Sequence, residues 1–171
     1  MNDEAVEAVA AKVEDALWNM ESKRIAVLGL AFKPGTDDVR FSPSIALARR
    51  LLDSGAHVVG YDPHAGASAK EELPELELAN DVYGAATGAH AIVIATDWEE
   101  FRDLDLPKLR DVMTYPLVVD GRNLLDSDQM AEAGFWYYPT GRPAVEPKTS
   151  TSPTSLEAAP AEQHHVEQRE T

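Results

Sequence analysis

The chain has no cysteine, which excludes a whole class of chemistry. Without a thiol it forms no disulfide, offers no thiolate to a metal ion and carries no cysteine nucleophile. Basic residues are also few: 15 Lys and Arg stand against 30 Asp and Glu in 171 residues, a formal net charge of −15. Such a charge repels nucleic-acid backbones and anionic lipid surfaces, so we expect neither nucleic acid nor a membrane as a partner.

Long apolar runs are missing too. None approaches the roughly 18 residues of a membrane span, and no basic segment precedes an apolar stretch near residue 1. We therefore expect a cytoplasmic protein. Only six of the basic residues are Lys, and an acidic, Lys-poor surface is typical of proteins that work in concentrated salt. A halophilic source is therefore a hypothesis, and equal stability with and without molar KCl would contradict it.

Apolar segments typical of strands alternate with helical segments along most of the chain. The first strand, Ile25 to Leu30, is followed by a turn and by a helix that Ser42 caps and Pro43 begins. Further strands are predicted at 57–61, 75–78, 91–95, 117–119 and 135–138, and helices at 43–53, 81–87, 106–113 and 127–133. This pattern predicts an α/β fold, a doubly wound (Rossmann-like) parallel sheet of about six strands.

The two ends of the chain differ from this alternating centre. Residues 3–20 form an amphipathic helix whose apolar stripe must pack on the domain's own sheet or on a partner helix. From residue 143 onward, Pro, Ser, Thr, Glu and Gln dominate, which predicts a disordered acidic tail whose adjacent His164 and His165 are solvated. We therefore divide the chain into an N-terminal helix (1–22), an α/β domain (23–142) and a tail (143–171).

Three polar clusters follow predicted strands, at 32–40, 96–98 and 120–123, and ligands of such sheets bind at the carboxyl ends of the strands. A dinucleotide fingerprint fails here: Gly29 follows a strand, but Ala31 and Pro34 occupy its other glycine positions, and about ten residues of loop precede the helix. Asp62 stands where a ribose-binding acid would, yet its place before Pro63 is typical of a turn residue. Trp98 and Phe101 are interpreted as packing residues over the strand ends.

Two cations lie in these clusters. Lys33 stands between Phe32 and Pro34 in the turn after the first strand, and Arg122 follows Asp120 and Gly121 at the end of another. An Arg that binds bidentately and a Lys that acts as a point charge can clamp a diphosphate between them. The usual alternative for a single loop Lys is a solvated charge.

Several motifs in order and spacing now support a family resemblance: GLAFKPGTDDVRFSPS, YDP, TDWEEF, DGRNLLD and GFWYYPTGR. They resemble the C-terminal, UDP-binding domain of the UDP-glucose/GDP-mannose 6-dehydrogenase family over about residues 20–142. The resemblance implies a UDP-sugar ligand, with Phe32 and Lys33 at the sugar-diphosphate and Arg122 binding the substrate from the DGRN turn. It also implies that the helix at 3–20 is the tail end of the family's central helix, through which those enzymes dimerise.

The departures from the family pattern concern catalysis. The family oxidises the sugar C6 twice through a Cys thiohemiacetal and thioester, with NAD bound by an N-terminal domain. This chain has no Cys and no Gly-rich NAD turn, so we assign it no catalytic residue, no cofactor and no metal, and expect it to be inactive alone. Phe41 replaces a usual Glu, and His90 stands where an acid is common. These changes affect the local ion pairs and not Lys33 or Arg122.

Two functional hypotheses follow. The first is a nucleotide-sugar-binding domain of an NAD-dependent UDP-sugar 6-dehydrogenase. The alternative is a non-catalytic interaction module that pairs, through the N-terminal helix, with a separately encoded NAD-binding and catalytic half or with a second copy of itself. A neighbouring reading frame that encodes a GxGxxG turn and the family's Cys would favour a split enzyme.

Overall fold

The structure, a computed structural model, describes residues 3–31, 39–40 and 42–148. Its centre is a six-stranded, all-parallel sheet with the order β3-β2-β1-β4-β5-β6. The strands are β1 Arg24–Leu28, β2 His57–Tyr61, β3 Glu77–Leu78, β4 Ala91–Ile94, β5 Leu117–Asp120 and β6 Trp136–Pro139. The helices are α1 Asp3–Leu17, α2 Pro43–Asp53, α3 Gly66–Glu72, α4 Val82–Ala86, α5 Leu106–Val112 and α6 Ser127–Glu132, with a 3-10 turn at Glu99–Arg102.

This strand order confirms the doubly wound, Rossmann-like fold predicted from the alternation of elements. The chain runs outward from β1 to β3 on one side, then crosses to β4 and runs outward to β6 on the other. The order therefore reverses between β1 and β4, and in open α/β sheets the crevice at this switch point binds ligands.

Successive strand residues face two separate cores. Ile25 and Val27 of β1 lie in the core with α1, α2 and the α3 region, whereas Ala26 and Leu28 lie in the core with α4, α5 and α6. Both faces of the central strands are covered, which explains their nearly continuous apolar sequences.

Helix α1 packs on its own domain. Val6, Val9 and Val13 are buried in the core that α2 shares. Arg50 of α2 forms a bidentate pair with Glu14 of α1, at 2.9 and 3.1 Å. The apolar stripe of α1 therefore packs on its own domain, against α2 and the sheet, and not on a partner helix in the described structure. The helix ends at Leu17 rather than at the predicted residue 20.

Two further differences concern segments with weak sequence signals. Helix α3 lies between the predicted strands at 57–61 and 75–78, where no helix is predicted, while the edge strand predicted at 75–78 is confirmed as β3. Beyond residue 143 the chain still contacts the domain, because Val145 pairs with Tyr137 and the Lys148 N–H donates to Ala131 O at 2.8 Å. The tail predicted from residue 143 thus begins with a segment held on β6, and its remainder, including His164 and His165, lies outside the described residues.

Within the described ranges, every helix is too short or too polar to reach across a lipid bilayer.

Candidate functional site

The exits of β1 and β4 meet in very close contact at the switch point. Gly29 follows β1 with φ +96°, and a Cβ built on it would lie 2.4 Å from Thr96 Cβ and 2.8 Å from Thr96 N. Both the positive φ and this approach require glycine. The Gly that resembles a fingerprint residue therefore packs two strand exits together.

The next two residues are held by side chains from three other segments. The N–H groups of Leu30 and Ala31 both donate to Asp62 Oδ2, at 2.7 and 3.0 Å. Their carbonyl oxygens accept hydrogen bonds from Ser42 Oγ, at 2.9 Å, and from Thr96 Oγ1, at 3.2 Å. The chain that leaves β1 is thus fixed in place although it belongs to no regular element.

Asp62 collects five hydrogen bonds and is only 7% exposed. Its Oδ1 accepts the N–H groups of His64 and Ala65, which is the turn role predicted for it. Its Oδ2 accepts the two β1-exit groups and also Trp98 Nε1, at 3.2 Å. One carboxylate therefore joins the exits of β1, β2 and β4, which a turn residue need not do.

Aromatic side chains cover the same edge. His64 and Trp98 are stacked, with ring centroids 4.9 Å apart and planes at 11°. Phe101 is fully buried, which confirms its packing role. Burial, and then the hydrogen bond that Tyr61 donates to Glu100, raise the pKa of the Tyr61 hydroxyl to about 12. Tyr61 therefore stays neutral near pH 7.

Arg122 lies at the exit of β5, beside the exit of β4. Its backbone N–H donates to Asp120 Oδ1 at 3.0 Å, and its guanidinium lies 3.6 Å from Asp97 Oδ1. The two side chains are 38% and 35% exposed. The sheet thus brings together the predicted clusters at 96–98 and 120–123, and it leaves the guanidinium accessible to a ligand.

The DGRN turn that carries Arg122 is held by hydrogen bonds to residues on and after β6. Asp120 is fully buried, and its Oδ2 accepts the Leu125 N–H at 3.0 Å and the Tyr137 hydroxyl at 2.6 Å. Asn123, with φ +55°, exchanges two hydrogen bonds with the backbone of Thr140, both 2.8 Å long. No local signal in the sequence marks these anchors, because their partners on and after β6 are 17 residues away along the chain.

Phe32 and Lys33, the other two residues assigned to the ligand, lie outside the described residues, as does Phe41. Arg122 is thus the one residue of the three whose surroundings the described ranges contain. His90, which replaces an acid, lies at the opposite, amino-terminal edge of the sheet, where its Nδ1 accepts the Arg24 N–H at 3.1 Å.

Three of the backbone N–H groups near the switch point are engaged by side chains of the protein itself. A dinucleotide of this fold places its pyrophosphate on backbone N–H groups of the first turn and on the helix that follows. Here the N–H groups of Leu30 and Ala31 are bonded to Asp62, and the Ser44 N–H of α2 is bonded to its own cap, Ser42 Oγ. Metal ligands are also lacking: nowhere in the described ranges do three His, Asp or Glu side chains come together around one point.

Comparison with known proteins decides the family. Residues 26–127 match the model of the UDP-glucose/GDP-mannose dehydrogenase family, UDP binding domain. The chain belongs to this family. The resemblance predicted from the motifs is therefore confirmed, and the matched residues of this UDP-binding domain include both Lys33 and Arg122.

Similar proteins carry the same domain within longer chains. A UDP-glucose 6-dehydrogenase from Rhizobium meliloti is 46% identical over 144 residues, which are 84% of this chain and 33% of that protein. One from Rattus norvegicus is 35% identical over 91% of this chain and 35% of its own length. Among solved structures, a UDP-glucose dehydrogenase from Pyrobaculum islandicum matches with a TM-score of 0.65 and 33% identity, over 72% of this chain and 27% of that one. The UDP-binding domain thus spans about a third of the curated relatives it matches.

Proposed function

We propose that this chain binds the nucleotide-sugar substrate of an NAD-dependent UDP-sugar 6-dehydrogenase. The observation that carries the proposal is the position of Arg122: an accessible guanidinium on a turn anchored by buried Asp120, at the ligand-binding edge of the sheet. A guanidinium presents a planar set of donors that matches two phosphate oxygens at once. Such a group is suited to the diphosphate of a UDP-sugar.

The other contacts of the proposed site come from the loop after β1. Lys33 supplies the second positive charge, and Phe32 contacts the sugar-diphosphate. Binding replaces the single 3.6 Å contact between Arg122 and Asp97, which is a weak, partly exposed ion pair. A doubly charged diphosphate is a stronger partner for the guanidinium than one carboxylate, so the exchange favours the ligand.

The oxidation itself needs groups that this sequence does not supply. The proposed chemistry requires a thiol nucleophile and NAD, and the chain has no cysteine. We propose that NAD and the nucleophile belong to another domain or subunit, and that residues 23–142 bind the nucleotide sugar, with 1–22 as a helical connection and 143–171 as a tail.

Calorimetric titration with UDP-glucose and UDP-glucuronate tests this function. We expect the parent chain to bind, and Arg122→Ala or Lys33→Ala to weaken binding by about 2 kcal/mol, or roughly 30-fold, since each removes one partner of a charge pair. Arg102→Ala is the matched control: it removes an exposed Arg that pairs with Glu99, three residues earlier in the 3-10 turn. The absence of any binding heat from the parent would contradict the proposal.

The alternative module would use the N-terminal helix to pair with another chain. In the described structure, however, Val6, Val9 and Val13 of α1 are buried on the domain itself. A partner helix would have to displace α1 or use its polar face. A homodimer through this helix stays a prediction, and a single species with the mass of one chain in light scattering would contradict it.

A salt-adapted cytoplasmic setting is a separate proposal that rests on the net charge of −15. Because molar salt shortens the Debye length to roughly 3 Å, it reduces both self-repulsion and the repulsion of an anionic ligand. We expect the free energy of unfolding to rise between dilute buffer and molar KCl.

A further inference from the structure

We propose that Asn123 is a positioning residue for Arg122, and that its side-chain amide fixes the DGRN turn to Thr140, the residue after β6. The inference rests on the proposed function, which it deepens by naming the group that holds the turn with the guanidinium in place. Asn123 is assigned no contact with the ligand.

The backbone turns sharply directly after Arg122. Asn123 has φ +55°, in the left-handed region that is unfavourable for most side chains and that Asn tolerates better than most. The part of the turn before Arg122 is held separately, because the Arg122 N–H donates to Asp120 Oδ1 at 3.0 Å. The direction in which the Arg122 side chain leaves the turn therefore depends on a support at Asn123 as well.

The support at Asn123 is a two-point contact with a single residue. The Asn123 Nδ2 donates to Thr140 O, and the Asn123 Oδ1 accepts the Thr140 N–H, each at 2.8 Å. Two exchanged bonds fix orientation as well as distance, as they do in a hydrogen-bonded pair of residues in an antiparallel ladder. Thr140 Oγ1 also donates to Asp120 O at 3.0 Å. Thr140 thus holds the turn on both sides of Arg122.

Thr140 is itself held, because the chain on both sides of it is bonded to the sheet. The residue before it, Pro139, is the last of β6 and pairs with the end of β5. A few residues after it, Val145 exchanges two hydrogen bonds with Tyr137 of β6, at 3.0 and 2.9 Å. The amide of Asn123 therefore ties the turn to the sheet itself.

Loss of the amide keeps the charge of Arg122 but removes this support. The Arg122 side chain is 38% exposed, and its 3.6 Å ion pair with Asp97 is too weak to hold the turn. A ligand then has to order the Arg122 side chain when it binds, at a cost equivalent to about threefold to tenfold in affinity.

Calorimetric titration of the full chain with UDP and with uridine tests this role. In Asn123→Gly and in Asn123→Ala, UDP should bind about threefold to tenfold more weakly, whereas uridine, which has no phosphate for Arg122, should bind as it does to the parent. The two variants both lack the amide but differ in backbone freedom, so a loss that they share is due to the amide. Ser22→Gly is the matched control: it places glycine at an exposed residue before β1 with φ +65°, and its affinities should equal those of the parent.

A double substitution shows whether Asn123 acts through Arg122. In Arg122→Ala, the further change Asn123→Gly should leave the affinity for UDP unaltered, because no guanidinium remains to be positioned. The proposal would be overturned by parent-like UDP affinity in both Asn123 variants, by an equal loss for UDP and uridine, or by a further loss in the Arg122→Ala background.

Backbone ¹⁵N relaxation provides a test that needs no ligand. The Arg122 amide of the parent should have an order parameter of about 0.85, as rigid strands do, and the value should fall toward about 0.6 in Asn123→Gly. A value below about 0.6 in the parent, or no change in the variant, would overturn the role of Asn123. A parent that binds no UDP would instead overturn the proposed function, while a loss of order in the variant would still support Asn123 as the support of the turn.

Discussion

Removal of the Tyr137 hydroxyl tests how much its hydrogen bond to Asp120 contributes to the free energy of unfolding and so to the stability of the turn that carries Arg122. Tyr137 is fully buried, and its hydroxyl donates to Asp120 Oδ2 at 2.6 Å and lies 3.0 Å from Leu125 O. Tyr137→Phe keeps the ring in the core and deletes this donor. Among the described residues, the buried Asp120 carboxylate then keeps two partners, the backbone N–H groups of Arg122 and Leu125.

The expected cost is that of one hydrogen bond to a charged group, about 2 kcal/mol. For a chain of this size, that corresponds to a decrease in Tm of roughly 4–8 °C. Urea unfolding at neutral pH should show a lower midpoint with an unchanged m value. Tyr138→Phe, which alters the neighbouring, partly exposed tyrosine, is the control and should stay within about 0.5 kcal/mol of the parent.

Alkaline pH gives a further signature of the same contact. Burial, and then the negative Asp120, raise the pKa of the Tyr137 hydroxyl above its ordinary value. The contribution of this hydroxyl to the free energy of unfolding is fully present below about pH 10. It is lost as the pH rises further, because the tyrosine of the unfolded chain ionises at a lower pH than the buried one. The advantage of the parent over Tyr137→Phe should therefore shrink above about pH 10. Equal stability of the two proteins at neutral pH, or a difference that stays constant into the alkaline range, would refute this assignment.

Three other substitutions have defined outcomes in urea unfolding. Gly29→Ala should cost about 3 kcal/mol or more, because it adds positive-φ strain to a contact with Thr96; a smaller loss than about 1 kcal/mol would contradict the close packing. Burial is the main cause that lowers the pKa of His90. The contribution of the neutral imidazole to the free energy of unfolding is therefore present above about pH 6.5 and is lost on acidification. The stability of His90→Ala should lack this dependence on pH. Glu14→Gln should cost up to about 1 kcal/mol near pH 7, and the difference should vanish in acid, because Arg50 lowers the Glu14 pKa from 4.5; a cost that persists in acid would argue against the ion pair.

The sequence predicted those elements whose causes are local. Helix α2 begins at Pro43 after the Ser42 cap, as expected, because both signals act within one turn of helix. The central strands are buried on both faces and therefore stand out as short apolar runs. The position of Arg122 at the ligand edge followed from the fold class alone, since all carboxyl ends of a parallel sheet lie on one side.

The rest depends on contacts between distant residues. The residues beside Asp62 in sequence indicate only a turn role, whereas its bonds to Leu30 and Trp98 span 32 and 36 residues. The same holds for Tyr137, whose bond to Asp120 spans 17 residues. Val145 lies in a polar, Pro-rich stretch, so its pairing with β6 has no compositional signal. Lys33 stays a prediction from sequence.

The proposed site would bind a nucleotide sugar without a dinucleotide fingerprint. Directly after β1, the N–H groups of Leu30 and Ala31 are bonded to Asp62, and Gly29 packs against Thr96. At the neighbouring strand ends, the Arg122 guanidinium after β5 lies 3.6 Å from Asp97 Oδ1 after β4. We therefore expect recognition to depend on the side chain of Arg122, after β5, rather than on the N–H groups of Leu30 and Ala31.

The central claim is that the strand-end cations bind a diphosphate, and calorimetric titration of the parent chain with uridine, UMP and UDP tests it most directly. If Arg122 and Lys33 each form charge-assisted hydrogen bonds to phosphate, UDP should bind at least about a hundredfold more tightly than uridine, with UMP between them. Equal affinities across the series, or no binding of UDP at all, would contradict the claim.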